Sequence, residues 1–142
     1  MTTEKENINI FNANALSTKD INGIVFTLYD NRIVHVKIPS FGKITIELTL
    51  AGNEFIEENG GGKYYNIYEF ESYADVDPEV REWAADSEGN NYTHTDAIVI
   101  GNLSQKIITD FYLKFNKPAR PTQIFYSLEK AVKWTQEQME KK

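Results

Sequence analysis

Few side chains in this sequence belong to types that commonly take part in catalysis or metal binding, and the spacing of those few argues against catalysis. The chain has two histidines, His35 and His94, and no cysteine. Neither histidine lies in a pattern typical of acid–base catalysis or metal binding, and without cysteine there is no thiolate ligand, nucleophile or disulfide. Ser104 follows a predicted strand-to-helix turn, but the G-x-S-x-G elbow is missing and no histidine follows Ser104. We therefore predict a protein that is not an enzyme and has no cofactor or metal site.

Two further features are interpreted as structural. The acidic residues between Glu69 and Glu88 lack the spacing of a calcium loop, so we interpret them as a solvated surface. The glycines at 60–62 precede a strand, which favours a helix stop over a phosphate loop. A candidate partner or ligand surface remains at the predicted helix starts, where free N–H groups gather beyond parallel strands. Its residues are Ser72, Asp75, Asp77, Glu79, Asn102 and Ser104.

Length and charge limit the class of protein. The 142 residues fit one domain, which we place at residues 21–142, after a poorly patterned segment over residues 1–20. The net charge is −6, and an acidic chain repels nucleic acid. No stretch is typical of a secretory signal or a membrane span. We expect a cytoplasmic protein that binds neither nucleic acid nor membranes.

Hydrophobic periodicity predicts the elements that must position the candidate residues. Alternation predicts a β-hairpin with strands over 24–29 and 33–38, and Ile8–Phe11 is a candidate edge strand. A helix begins between Ile46 and Leu50 and ends at Asn59, and an aromatic strand follows over Tyr64–Phe70. Asp77 and Pro78 start a second helix, which fades near 87–89. A loop over 90–95 then leads to a buried strand over 96–100.

The last third of the chain has the strongest signals. Asn102, with Gln105 three residues later, predicts a capped helix, which the Lys117-Pro118 pair ends. Its apolar residues are expected to face the core: Leu103, Ile107, Ile108, Phe111, Tyr112 and Phe115. A strand over 122–126 and a helix capped by Ser127 follow, with Leu128, Ala131, Val132 and Met139 expected inside. Strand and helix alternate from Tyr64 onward, which predicts an α/β fold whose mixed sheet has parallel central strands and about four helices.

This order of elements resembles that of STAS domains, the SpoIIAA-like anti-sigma-factor antagonists, and above all an uncharacterised bacterial branch of them. The similar segments are AIVIGNLS at 97–104, FYLKFNKP at 111–118, PTQIF at 121–125 and EKAVKW at 129–134. The resemblance implies a STAS-like sheet and a regulatory role. In phosphorylated STAS proteins a Ser or Thr starts the helix after the central strand, but residues 75–79 here carry no hydroxyl and Ser72 is the nearest. A phosphorylation switch is therefore not implied.

Two functions remain open from the sequence. The first is a non-enzymatic STAS-like regulatory module that acts by contact with a protein partner, which could be a second copy in a homodimer. The alternative is a domain that binds or senses a small apolar or anionic ligand between the sheet and the helix that starts at Leu103.

Overall fold

A six-stranded mixed sheet forms the centre of the computed structural model, which describes residues 9–85 and 92–141. Its strands are β1 (Ala15–Ile21), β2 (Ile24–Tyr29), β3 (Ile33–Ile38), β5 (Tyr64–Phe70), β7 (Thr93–Val99) and β8 (Thr122–Phe125), and β4 (Lys43–Ile44) pairs with β6 (Asp75–Val76) in a separate sheet. The α-helices are α1 (Ile46–Glu58), α2 (Pro78–Ala85), α3 (Leu103–Phe111) and α4 (Leu128–Glu140), and a π-helical turn (Tyr112–Asn116) continues α3. The described residues thus confirm an α/β fold with a mixed sheet and four α-helices.

The first three strands are antiparallel, and they confirm the predicted hairpin. β2 and β3 pair with Phe26 opposite Val36. The edge strand, however, is β1 and not Ile8–Phe11, because residues 10–13 form a turn and bend, and Ile8 lies outside the described residues. The sequence of β1 shows no alternation of apolar residues, because both faces of this edge strand are largely exposed and no apolar face has to be buried. Phe11 is buried instead, with its ring stacked on Tyr29 at 4.4 Å.

The other half of the sheet is parallel, as predicted. In the order β1-β2-β3-β5-β7-β8, the pairs from β3 onward all run in the same direction. β7 begins at Thr93, so the predicted loop over 90–95 is wrong for its last three residues, and residues 90 and 91 lie outside the described part. Thr93 and Thr95 are buried, and their β-branched side chains suit a strand. The predicted end of the second helix near 87–89 also lies outside the described residues.

Helices cover both faces of the sheet. On one face, Ala131 and Val132 of α4 pack on Ile33, Ile67 and Ala97. On the other face, α1 and α2 pack on alternate residues of β2 and β3. Ser127 Oγ accepts a hydrogen bond from the Lys130 N–H at 3.1 Å, which confirms the predicted cap of α4. Among the described residues, none of the helices has the length and apolar character needed to cross a membrane.

Candidate functional site: an exposed helix face and a polar cavity

The apolar face of α3 points away from the core, contrary to the expectation from its amphipathic pattern. Leu103, Ile107, Phe111 and Phe115 are 70%, 62%, 51% and 62% exposed, and we call these four residues the α3 stripe. Ile108 is also exposed, at 37%, so of the six residues expected inside only Tyr112 is buried. The rings of Phe111 and Phe115 contact each other with centroids 4.5 Å apart. The stripe is a row of large apolar side chains open to solvent.

Polar contacts on the inner side of α3 explain this orientation. Gln105 is 9% exposed, and its Nε2 donates to the carbonyls of Glu71 at 2.8 Å and Ala74 at 3.1 Å. Its Oε1 accepts from the Gly101 N–H at 2.7 Å. Rotation of the helix to bury the stripe would break all three bonds, and unpaired buried polar groups cost about 1–3 kcal/mol each. Gln105 therefore fixes α3 on the loop that follows β5.

Three of the predicted surface residues meet at the start of α3. Asn102 Oδ1 accepts from the Gln105 N–H at 2.9 Å, which confirms the predicted cap. Ser72 lies against Gly101, and Ser104 is exposed on the first turn of the helix. The start of α3 and the loop after β5 thus form one continuous surface.

The predicted acidic residues lie around β6 and the start of α2. Asp77 Oδ1 pairs with Lys43 Nζ at 3.3 Å, and Asp75 Oδ1 accepts from the Val76 N–H at 2.7 Å. Glu79 is exposed in the first turn of α2. Among the described residues, no hydrogen bond or ion pair joins these carboxylates to Asn102 or Ser104. The six predicted residues therefore form two groups and not a single constellation.

An exposed aromatic pair, which sequence reasoning missed, lies beside the start of α3. Phe41 and Tyr73 are 82% and 70% exposed, and their rings stack with centroids 5.4 Å apart. Both residues have a left-handed backbone, with φ of 66° and 71°, which is unfavourable for a bulky side chain. Strain of this kind is concentrated at functional sites. Tyr73 follows Ser72 directly, so the pair adjoins the surface at the start of α3.

A cavity of about 150 Å³ lies between the sheet and helices α1, α2 and α3. Its wall is mainly apolar and includes Phe26, Val36, Leu48, Ile56 and Ile98. The cavity also has a polar patch, which we call the polar floor. It consists of Asn66, Tyr68, Thr93 and Asp96 on the sheet, Tyr112 in the turn that continues α3, and Arg120 just before β8. Thr109 and Ile108 of α3 also contact the cavity, so the α3 stripe and the cavity share one helix.

An ion pair between Asp96 and Arg120 lies at the centre of the polar floor. The Asp96 Oδ2 atom accepts from Arg120 Nε at 2.9 Å and from Nη2 at 2.5 Å. Arg120 Nη1 donates to the Ala84 carbonyl at 2.6 Å, which joins the pair to the end of α2. Burial raises the pKa of Asp96, while the Arg120 guanidinium opposes this rise. Burial also raises the pKa of Tyr112 to about 12, so its hydroxyl stays protonated at neutral pH.

Two oxygen atoms of the polar floor have no hydrogen-bond partner of normal length among the described residues, and the Asn66 amide beside Asp96 opposes the rise that burial causes in the pKa of that carboxyl. The two oxygens are Asn66 Oδ1 and Asp96 Oδ1, in residues that are 6% and 3% exposed. Asn66 and Asp96 are register partners on adjacent strands. The Asn66 amide nitrogen donates to Thr93 Oγ1 at 3.0 Å and to the Tyr68 hydroxyl at 3.2 Å. This arrangement can accept hydrogen bonds, but it holds no evident nucleophile beside a general base.

His35 has a carboxylate neighbour that sequence reasoning missed. His35 Nε2 lies 2.9 Å from Glu69 Oε1, and the Phe11 ring covers the histidine on one side. The hydrogen bond from His35 lowers the pKa of Glu69. The pair lies on the α4 side of the sheet, away from the cavity. The described residues contain no group of three or more side chains suited to hold a metal ion.

Residues 22–139 match a protein family that is described as a domain of unknown function, DUF7793. No curated protein and no solved structure matches the chain. The matched range includes the α3 stripe, the aromatic pair of Phe41 and Tyr73, and every residue of the polar floor.

Proposed function

The chain belongs to the DUF7793 family, and we propose that it is a non-enzymatic interaction module of STAS-like architecture. In this proposal, two copies form a homodimer by packing their α3 stripes against each other. The observation that carries the proposal is the exposure of four large apolar side chains, at a spacing of four residues, along one helix.

Exposure of such a stripe in water is unfavourable, so a partner surface is expected. Soluble monomers rarely leave large contiguous apolar patches uncovered, and those they do leave are often functional. The three hydrogen bonds of Gln105 keep α3 from turning the stripe inward. The side chains that a soluble domain normally buries are therefore free to pack on another molecule.

The distribution of side chains along the stripe favours a second copy as the partner. The aliphatic residues Leu103 and Ile107 lie in the first half, and the aromatic residues Phe111 and Phe115 lie in the second half. A two-fold axis that crosses the stripe midway between Ile107 and Phe111 would set two α3 helices antiparallel, with Ile107 of one copy on Phe111 of the other. Self-complementarity of this kind is what a two-fold interface requires.

Charge along the flank of the stripe supports the same arrangement. Lys106 Nζ pairs with Asp110 Oδ2 at 2.6 Å within one chain, and both side chains are about half exposed. In an antiparallel pair of helices, each lysine would lie near the aspartate of the other copy. The antiparallel helix dipoles also attract each other.

The area of the stripe is sufficient for a modest interface. Large apolar side chains of this size present on the order of 100 Å² each when half exposed or more. Two stripes would then bury on the order of 800 Å², and flanking residues bring the total towards the 1,000 Å² or so that specific interfaces need. We therefore expect a dimer that dissociates on dilution.

The STAS resemblance, which is good over residues 96–134, supports a regulatory role for this dimer. STAS-like proteins act through protein contact, and the stripe lies in the part of the chain where the resemblance is strongest. The surface at the start of α3, with Ser72, Asn102 and Ser104, remains available beside the stripe for a further partner.

Sedimentation equilibrium over a range of protein concentrations tests the proposal. We expect the wild-type chain to dimerise and Ile107→Glu to remain monomeric at concentrations where the wild type is dimeric. Gln123→Glu is the matched control, because it adds the same charge at an exposed residue of β8. A wild-type chain that is monomeric at every concentration, or an Ile107→Glu variant that dimerises as well as the control, would contradict the dimer.

A further inference from the structure

The cavity above the polar floor supports a second inference that does not depend on the proposed dimer. We propose that it binds a small, uncharged and mainly apolar molecule that carries an N–H or O–H group. Asn66 Oδ1 and Asp96 Oδ1 would accept the hydrogen bonds of that group, and the apolar wall would enclose the rest of the molecule.

The two free oxygens are the first argument for a ligand. Buried polar atoms in folded proteins nearly always have a hydrogen-bond partner, and an unsatisfied one costs about 1–3 kcal/mol. Here two of them, on Asn66 and Asp96, lie on register partners and line the same cavity. Both are acceptors, so a molecule with two donor hydrogens satisfies both of them, and a molecule with one donor hydrogen satisfies one.

The dimensions of the cavity limit the size of this molecule. Its volume of about 150 Å³ is comparable to cavities in proteins that hold a benzene ring. A nucleotide or a lipid chain is too large for such a space. Phe26, Val36, Ile56 and Ile98 line the wall, and apolar contact with these side chains favours a single ring or a short branched hydrocarbon as the body of the ligand.

The charge balance of the polar floor favours a neutral ligand. Arg120 pairs with Asp96 inside the domain, with the side chains 6% and 4% exposed, so the two charges compensate each other. An anion would face the carboxylate oxygen of Asp96, which repels it. A cation would add an uncompensated charge to a buried site, which is costly. Arg81 also lines the cavity, where its Nη1 donates to the Val76 carbonyl at 3.2 Å. Of the ligand classes open from the sequence, the polar floor itself therefore favours the apolar one.

Binding of three probes of nearly equal shape tests the proposal. Toluene, phenol and aniline differ in a methyl, a hydroxyl and an amino group on one ring, and only the last two donate hydrogen bonds. Isothermal titration calorimetry measures the affinity of the full-length chain for each probe. We expect phenol and aniline to bind at least about tenfold more tightly than toluene, which is the effect of about 1.4 kcal/mol. Equal affinity for the three probes, or no saturable binding of any of them, would overturn the proposal.

Two variants locate the bound probe. Ala84→Leu places a larger side chain at a residue that lines the cavity, and it should abolish phenol binding. Glu82→Leu is the matched control, because it adds the same side chain at an exposed residue of the same helix and should bind phenol as the wild type does. Asn66→Leu removes one acceptor, and we expect the preference for phenol over toluene to fall. Undiminished phenol binding by a folded Ala84→Leu variant would contradict the assigned site.

Discussion

The Asp96 carboxylate and the Arg120 guanidinium form an ion pair that is closed off from solvent, with Oδ2 2.9 Å from Nε and 2.5 Å from Nη2. Asp96 lies in β7, while Arg120 lies just before β8 and also donates to the Ala84 carbonyl of α2. The pair thus connects the two strands at one edge of the sheet to a helix above them. Both residues also line the cavity.

Removal of one partner of this pair should destabilise the domain strongly. Arg120→Met leaves the Asp96 carboxylate buried without compensation, and we expect a loss of about 3–5 kcal/mol in the free energy of unfolding. The double variant Asp96→Leu with Arg120→Met removes both charges and should recover most of that loss. Urea denaturation measures both values. A single variant that loses less than about 1 kcal/mol would show that the pair is not electrostatically buried.

The hydrogen bond between His35 and Glu69 should make stability depend on pH in the acidic range. The pKa of Glu69 is lowered in the folded state from an ordinary value of 4.5. The stabilisation is therefore fully present above pH 4.5 and is lost as the pH falls through the folded value. Because the pair is partly exposed, we expect an effect below about 1 kcal/mol.

The free energy of unfolding as a function of pH tests this dependence in four proteins: the wild type, Glu69→Gln, His35→Phe and the double variant. On acidification below pH 4.5, the wild type should lose more stability than Glu69→Gln. In the background of His35→Phe the histidine no longer lowers the pKa of Glu69, so the further substitution Glu69→Gln should then make a smaller difference. Identical acid profiles of the wild type and Glu69→Gln would refute the assignment.

Sequence reasoning succeeded where local patterns decide the structure. The alternation around Phe26 and Val36 predicted the hairpin, and the caps at Asn102 and Ser127 lie at the predicted residues. These features depend on neighbouring residues in the chain, which the sequence shows directly.

Features that depend on distant contacts could not be predicted. The apolar pattern of α3 implied that the stripe faces inward, but Gln105 bonds to the carbonyls of Glu71 and Ala74, more than 30 residues earlier. Asp96 and Arg120 are separated by 24 residues, and no local signal connects them. In the sequence, the polar floor is indicated only by Asp96, a carboxylate directly before the apolar run over 97–100.

Gly62 and Gly60 provide a matched test of a tight packing contact. Both have a left-handed backbone, with φ of 89° and 104°, but a Cβ at Gly62 would lie 2.5 Å from Arg32 Nη2, while one at Gly60 meets nothing within 4 Å. Arg32 donates to the carbonyls of Gly61 and Lys63 and stacks over the Tyr64 ring.

Gly62→Ala should therefore destabilise the domain more than Gly60→Ala does. Gly60→Ala suffers only the backbone cost of about 1 kcal/mol, while Gly62→Ala also displaces Arg32 from its carbonyl partners, which adds about 1 kcal/mol or more. Thermal unfolding of both variants measures the difference. Equal melting temperatures would mean that Arg32 moves without loss of its contacts.

The absence of cysteine from the chain allows a direct test of how two α3 helices would pair. In an antiparallel dimer whose axis crosses the stripe midway between Ile107 and Phe111, Ile107 of one copy lies on Phe111 of the other. We therefore expect a mixture of Ile107→Cys and Phe111→Cys chains to form more disulfide-linked dimer under mild oxidation than either variant does alone. Non-reducing electrophoresis measures the yield. A parallel pairing would instead give more disulfide-linked dimer with each variant alone, because identical residues then face each other. A mixture of Lys133→Cys and Glu137→Cys chains, with the cysteine at exposed residues of α4, controls for disulfides formed by random collision. A yield in the mixture no higher than in this control would exclude the antiparallel arrangement.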